Sequence, residues 1–502
     1  MSEINSKKRI SINVISSVLQ VVFVGIIYLI LYKYLLKTLG VEQLGVWSII
    51  LATTSIANLA NFGITSGLVK FIADYNAKQK NDKISKLIFT SFISIVSFFA
   101  IIILLIYAFS TFFLGFVIDS KHIDLAIKIL PYSLLCLFLN SVGGVFTSTL
   151  EGFQKNYLRN FIVLFSTLLL LISSYFLVPI YKLKGVAIAQ VLQALLLLIA
   201  SYILIVKEFK LKIFNQWNWD QAIFKELINF GFKFQIISVF QMLYEPITKG
   251  LISKFGGLGL LGYYEMASRL VTQLRALIVN ANQVMVPVIA HTSNTDKQHL
   301  SELYNKTLSI TYFVTTFLIA GILIFTPAIS ILWIGFLENN FIFSMKLLSI
   351  SMFVNILVGP AYFSCIGEGK LNILLIAHVI IGVLNFFLGV FLGKIYNGNG
   401  VIIAWCFSLI VGSIYLIVRY QKTRKIKFKP FFSLYNILLF TISFIFVFLN
   451  LHYFNYLFHF FSLNIWIIII VQMLVFVFLF LVFVFQNKQI IKMIKNTNDK
   501  IS

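Results

Sequence analysis

Residues 241–283 read QMLYEPITKGLISKFGGLGLLGYYEMASRLVTQLRALIVNANQ. Glu245, Lys249, Glu265, Arg269 and Arg275 stand here inside two runs otherwise apolar enough to cross a bilayer. Each ionised group near the midplane of a membrane costs roughly 2.5–3.5 kcal/mol on insertion scales. A chain keeps such groups only where they face water, one another or a charged ligand. Placed on a helix with Glu265 as origin, Ser268, Arg269, Thr272, Gln273, Arg275, Asn280, Asn282 and Gln283 fall within about 100° of it. The opposite half carries Ala267, Leu270, Val271, Leu274, Leu277, Ile278 and Ala281. This segment is therefore expected to line a hydrated cavity. On the preceding run, Gln241, Glu245 and Thr248/Lys249 recur at helical spacing, and Pro246 removes a backbone donor and is expected to bend the helix. A purely structural network of ion pairs is the competing reading of the same charges.

The chain around this stretch has 502 residues, 60% of them hydrophobic and 11% charged. No water-soluble core needs so much apolar surface, so the expected fold class is an all-α polytopic membrane protein. The net charge of +23 points first to membrane topology and anionic lipid, not to nucleic acid. No polar stretch is long enough for a nucleotide-binding domain. Cys136, Cys365 and Cys406 each stand alone in an apolar run and fit packing, not metal ligation. Lys7-Lys8-Arg9 before an apolar run imitates a signal peptide, but the run continues to about Leu36 without a cleavage pattern, so an uncleaved first span is expected.

About fourteen transmembrane helices are predicted: 10–32, 43–67, 87–109, 126–149, 157–180, 185–206, 229–253, 259–288, 306–332, 344–366, 371–393, 400–419, 431–449 and 463–485. Lys and Arg concentrate in alternate loops, which assigns both termini to the cytoplasm. The connector Lys207–Leu227 mixes Trp217, Trp219 and Phe224 with lysines and reads as an interfacial helix.

The two halves repeat. LGVEQLGVW (Leu39–Trp47) recurs as GGLGLLGYY (Gly256–Tyr264), and STLEGFQKN (Ser148–Asn156) as CIGEGKLNI (Cys365–Ile373), both at an offset of 217. KGVAIAQ (Lys184–Gln190) recurs as NGVIIAW (Asn399–Trp405) at 215. The expected domains are a six-helix lobe over 1–206, an interfacial linker over 207–228, a second six-helix lobe over 229–425, and two further helices with a cytoplasmic tail over 426–502. The lobes form a parallel repeat. At 217, Glu245 and Lys249 fall on Tyr28 and Tyr32, and Arg275 on Asn58. Both second spans keep a polar stripe, but only the C-terminal one is charged. Asn58 and Asn61 offer hydrogen bonds without charge, so a transport path with its anion-attracting wall in the C-terminal half is expected.

These motifs resemble those of polysaccharide-export flippases of the multidrug/oligosaccharidyl-lipid/polysaccharide (MOP) superfamily. The resemblance rests on the Gly-x-x-x-x-Gly turn at Gly40–Gly45, the EGFQ and EGK turns at Glu151 and Glu368, and the GVA/GVI starts at Gly185 and Gly400, and covers about residues 1–425. The two extra helices are similar to the fourteen-helix branch, which includes lipid II flippases. The resemblance implies two six-helix lobes around a cationic cavity, and transport of a polyprenyl-diphosphate-linked oligosaccharide across the bacterial cytoplasmic membrane by alternating access. Its implied partners are that lipid-linked glycan, membrane lipids, and the polymerase and glycosyltransferases of the pathway. A diphosphate suits planar guanidinium donors. Arg275 and Arg269 are therefore the expected diphosphate ligands, with Lys249 assisting, Glu245 biasing the cations, and Gln241, Gln273, Asn58 and Asn61 as further polar contacts. No cofactor is implied.

Two other readings compete. Glu245 lies where a cation-coupled drug exporter of the same superfamily could place its carboxylate, but a net cationic cavity repels cationic drugs. A membrane polymerase or ligase needs acids and bases gathered at one face, whereas His122, His452 and His459 are scattered. GEGK (Gly367–Lys370) lacks the spacing and the Ser/Thr of a phosphate loop.

Overall fold

A computed structural model describes residues 3–57, 64–115, 120–209, 211, 213–214, 219–283, 297–426 and some positions from 469 to 481. All regular structure among the described residues is helical. The helices are α1 (Glu3–Leu39), α2 (Val41–Ala57), α3 (Ile64–Ala77), α4 (Asn81–Ala108), α5 (Ser110–Gly115), α6 (Ser120–Gly152), α7 (Asn156–Tyr181), α8 (Leu183–Phe209), α9 (Gln221–Gln283), α10 (Lys297–Ile334), α11 (Asn339–Leu357), α12 (Gly359–Gly367) and α13 (Leu371–Arg424). Among the described residues, eight segments are long and apolar enough to span a bilayer. The chain is an all-α polytopic membrane protein. Expected span 13 lies outside the described residues, and expected span 14 is described only at some positions.

Why the helices break where they do follows from local chemistry. Gly40 stands at φ +84° between α1 and α2, and its repeat mate Gly257 at φ +78° breaks α9. A residue with a Cβ is strained at such angles, which is why glycine recurs at this one turn. Pro246 keeps helical dihedral angles, and the non-helical break of α9 falls eleven residues later at Gly257, between expected spans 229–253 and 259–288. In the third repeated motif, Lys182 (φ 51°, ψ −133°) and Asn397 (φ 57°, ψ −150°) occupy matching turns, between α7 and α8 and within α13. A Cβ on Gly185 would overlap the Leu177 carbonyl, and one on Gly400 the Leu392 carbonyl. Both pairs are 215 apart, so this motif repeats in backbone geometry and not only in letters.

The chain forms two compact units, Met1–Glu265 with Asn385–Val401, and Met266–Leu384 with Ile402–Ser502. In the first, packing uses small and polar side chains, as expected where lipid supplies no hydrophobic drive between helices. Asn160 on α7 donates to Ser16 and Ser17 of α1, each at 3.0 Å, and Ser166, Thr167, Ser173 and Ser174 are buried along the same helix. Large apolar residues such as Leu104 (70% exposed) and Ile180 (71%) point outward, the pattern of a lipid-facing surface. Of the connector, residues 207–209 close α8, the described residues 211, 213, 214, 219 and 220 are irregular, and α9 begins at Gln221. Phe214 docks on Phe89, Phe92 and Tyr202, while Asp220 accepts the backbone N–H groups of Ala222 and Ile223 at the start of α9. In the second unit, Phe317 and Phe325 of α10 pack on Phe476, in the region of expected span 14.

Candidate functional site

The charged stretch that dominates the sequence divides into two sites, one in each unit. In the first unit, Lys249 and Glu265 are 2% and 1% exposed. Lys249 Nζ lies 2.7 Å from Glu265 Oε2 and also pairs with Glu245, whose side chain is half exposed. Glu265 accepts hydrogen bonds from Tyr32 at 3.0 Å and from Ser48 at 2.8 Å. A buried carboxylate needs such partners, since an uncompensated charge in a low-dielectric interior costs several kcal/mol, by about 3–5 in measured cases. Close by in the same unit, Thr248 and Asn385 exchange hydrogen bonds at 3.0 and 3.3 Å.

The second unit holds Arg275 against a cavity of about 80 Å³, lined also by Asn355, Tyr362, His378 and Ser413. Arg275 Nε donates to Asn355 Oδ1 at 2.9 Å, and Asn355 Nδ2 donates to Ser413 Oγ at 3.2 Å. Using Nε for Asn355 fixes the guanidinium plane and leaves its terminal nitrogens to present a fork of donors. His378, 8% exposed, sits edge-on to the Tyr362 ring with centroids 6.2 Å apart. The wall thus combines a fixed cation with neutral donors, which is the chemistry of an anion site.

Of the residues expected from sequence, Lys249 and Glu245 belong to the buried cluster, and Arg275 to the cavity. Gln241 is partly exposed on α9 in the first unit, and Arg269 and Gln273 are partly exposed on the same helix in the second. Asn58 and Asn61 lie outside the described residues. Sequence reasoning passed over Ser48, Asn355 and His378. Ser48 was available from the repeat, because an offset of 217 sets it on Glu265. Asn355 and His378 carry no local signal: neither stands in a motif or a charged run.

A model of the family described as "Polysaccharide biosynthesis protein" matches residues 10–293. A relative from Shigella flexneri, named "Putative O-antigen transporter", is 21% identical over 393 residues, covering 76% of this chain and 91% of its own. Among solved structures, the chain is similar to the lipid II flippase MurJ in an inward closed conformation, with TM-score 0.74, 18% identity, and coverage of 95% of this chain and 100% of that one. It is also similar to an inward-facing multidrug resistance MATE transporter of the MOP superfamily, with TM-score 0.69, 16% identity and coverage of 81% and 96%. A MOP transporter from Pyrococcus furiosus gives 0.64, 14%, and 84% and 96%.

Proposed function

We propose that this chain, which belongs to the polysaccharide biosynthesis protein family, is a transporter that carries a polyprenyl-diphosphate-linked oligosaccharide across the bacterial cytoplasmic membrane. The observation that carries the reading is Arg275, oriented by Asn355 over a cavity lined by Tyr362, His378 and Ser413. A diphosphate leaving headgroup water loses its hydration, and a forked guanidinium with neighbouring neutral donors replaces it. Arg269 and Gln273, within two turns along α9, extend the same polar face, and Asn58 and Asn61 of the N-terminal half are proposed sugar or phosphate contacts. The prenyl chain stays in lipid. Pro246 and the Gly256-Gly257 break are the proposed hinges of an alternating-access cycle. Both termini are assigned to the cytoplasm by the distribution of Lys and Arg.

The cation-coupled drug-exporter reading needs an available carboxylate. Glu265 is bonded to Tyr32, Ser48 and Lys249, and Glu245 is paired with Lys249, which favours the anionic substrate. The test is a leaflet-flip assay in proteoliposomes with a prenyl-diphosphate sugar. Arg275→Ala combined with Arg269→Ala is expected to abolish flipping while the protein still assembles. Wild-type flipping rates in the double variant would overturn the cationic-site reading.

A further inference from the structure

The buried cluster of the first unit sits at the axis of the internal repeat. Gly45 and Gly262 are mates at 217, and so are Val41 and Leu258. A Cβ on Gly45 would overlap the carbonyl of Leu258, and a Cβ on Gly262 that of Val41. The contact is therefore reciprocal, as across a two-fold axis. Ser48 and Glu265 are also mates, and they hydrogen-bond to each other at 2.8 Å. A residue that touches its own mate must lie beside the axis. Tyr32 and Lys249, another mated pair, both bond the Glu265 carboxylate, at 3.0 and 2.7 Å.

This geometry explains why only one half is charged. Glutamate at both 48 and 265 would set two carboxylates within hydrogen-bond distance, and lysine at both 32 and 249 would set two ammonium groups around one site. With Ser and Tyr in one repeat and Glu and Lys in the other, every polar group at the axis meets a complementary partner. We infer that Tyr32, Ser48, Lys249 and Glu265 form a latch that closes the helix-turn pair Gly40–Gly45 and Gly257–Gly262, and that the latch must part during each transport cycle. The inference rests on reading the chain as an alternating-access transporter. A buried ion pair of this kind contributes little net stability but selects one arrangement strongly, because shifting it strands a charge. Such a contact suits a two-state closure: it holds firmly when aligned, and its groups hydrate once apart.

The two-fold relation supplies the test. In an S48E/E265S swap, the carboxylate introduced at position 48 would reach Lys249 from the opposite repeat and Tyr32 from its own, the mirror of the native arrangement. The reporter is Leu258→Cys in a background lacking Cys136, Cys365 and Cys406, with the protein in lipid nanodiscs and a polar maleimide as probe. Leu258 is 5% exposed, so the thiol is expected to be protected. S48E alone is expected to speed labelling about tenfold, and the swap to return it to within a few-fold of the parent, as coupled mates should. A swap that labels as fast as S48E, or an S48E that stays protected, overturns the latch. Should S48E not accumulate, Y32F and E265Q decide: faster labelling in both supports the latch, and unchanged labelling in either sinks it. Labelling needs no substrate, so a latch that fails here leaves the flipping assay to judge the transport reading separately.

Discussion

Arg275 uses its Nε for Asn355 and lines the cavity of the second unit. A lysine there would keep the charge but lose both the oriented plane and the fork. Arg275→Lys is therefore expected to lower the flipping rate about 10- to 100-fold, the scale of about 1.4–2.8 kcal/mol, in a proteoliposome assay. If lysine supported normal rates, the site would act as a point charge and not as a geometric clamp. At the turn after α12, Glu368 is a different kind of charged residue. Its side chain is 1% exposed, and its carboxylate meets Arg424 at 2.5 Å, Lys370 at 2.9 Å and the Tyr420 hydroxyl at 2.7 Å. Burial alone raises the Glu368 carboxyl, but the hydrogen bonds from Arg424, Lys370 and Tyr420 outweigh it and hold it below the usual carboxylate value. A depressed folded-state pKa gives stability that is present above the unfolded value, roughly pH 4.3, and lost as pH falls through the folded one. Glu368→Gln is therefore expected to lower the melting temperature of the detergent-solubilised protein at pH 7 and to flatten its acid-side slope. An unchanged acid slope would remove Glu368 from the account.

The turn at Lys182 and its counterpart at Asn397 pair a positive φ with ψ near −133° and −150°, a region that L residues occupy at a cost of about 1–3 kcal/mol. Gly185 and Gly400 follow at the same spacing because a Cβ would meet a carbonyl of the preceding helix. Lys182→Gly and Asn397→Gly are expected to raise stability by about 1 kcal/mol each, after the entropic cost of glycine, as read from thermal unfolding. A loss at both sites would show that the side chains contribute more than their dihedral angles cost. These turns also show what was readable from the letters. Gly40, Gly257, Gly185 and Gly400 announced the repeat because only glycine satisfies those backbone positions, and predicted spans such as 87–109, 126–149, 157–180 and 185–206 each coincide with a helix to within a few residues. The break at Gly257 falls between expected spans 229–253 and 259–288, and Pro246 upstream of it keeps helical dihedral angles.

For the whole molecule, the polar stripe from Glu265 to Arg275 was legible as one site because a single helix carries it. It became two because tertiary packing assigns Glu265 to one unit and Arg275 to the other. Partners such as Asn355 and His378 were opaque, since a polar residue outside any motif acquires its role only from what the fold brings beside it. If the cavity at Arg275 takes the diphosphate, a soluble short-chain prenyl diphosphate is expected to raise the melting temperature of the purified protein. The rise should grow with ligand concentration as mass action requires, and be lost in Arg275→Ala. An equal rise in that variant would place the ligand elsewhere. The pairing of Ser48 with Glu265 also bears on how such a protein can arise. A homodimer of identical six-helix subunits would bring the same side chain to its symmetry axis twice, opposing Glu to Glu or Ser to Ser. A tandem fusion, whose copies are free to diverge, can place an acid on one side of that axis and its hydroxyl donor on the other.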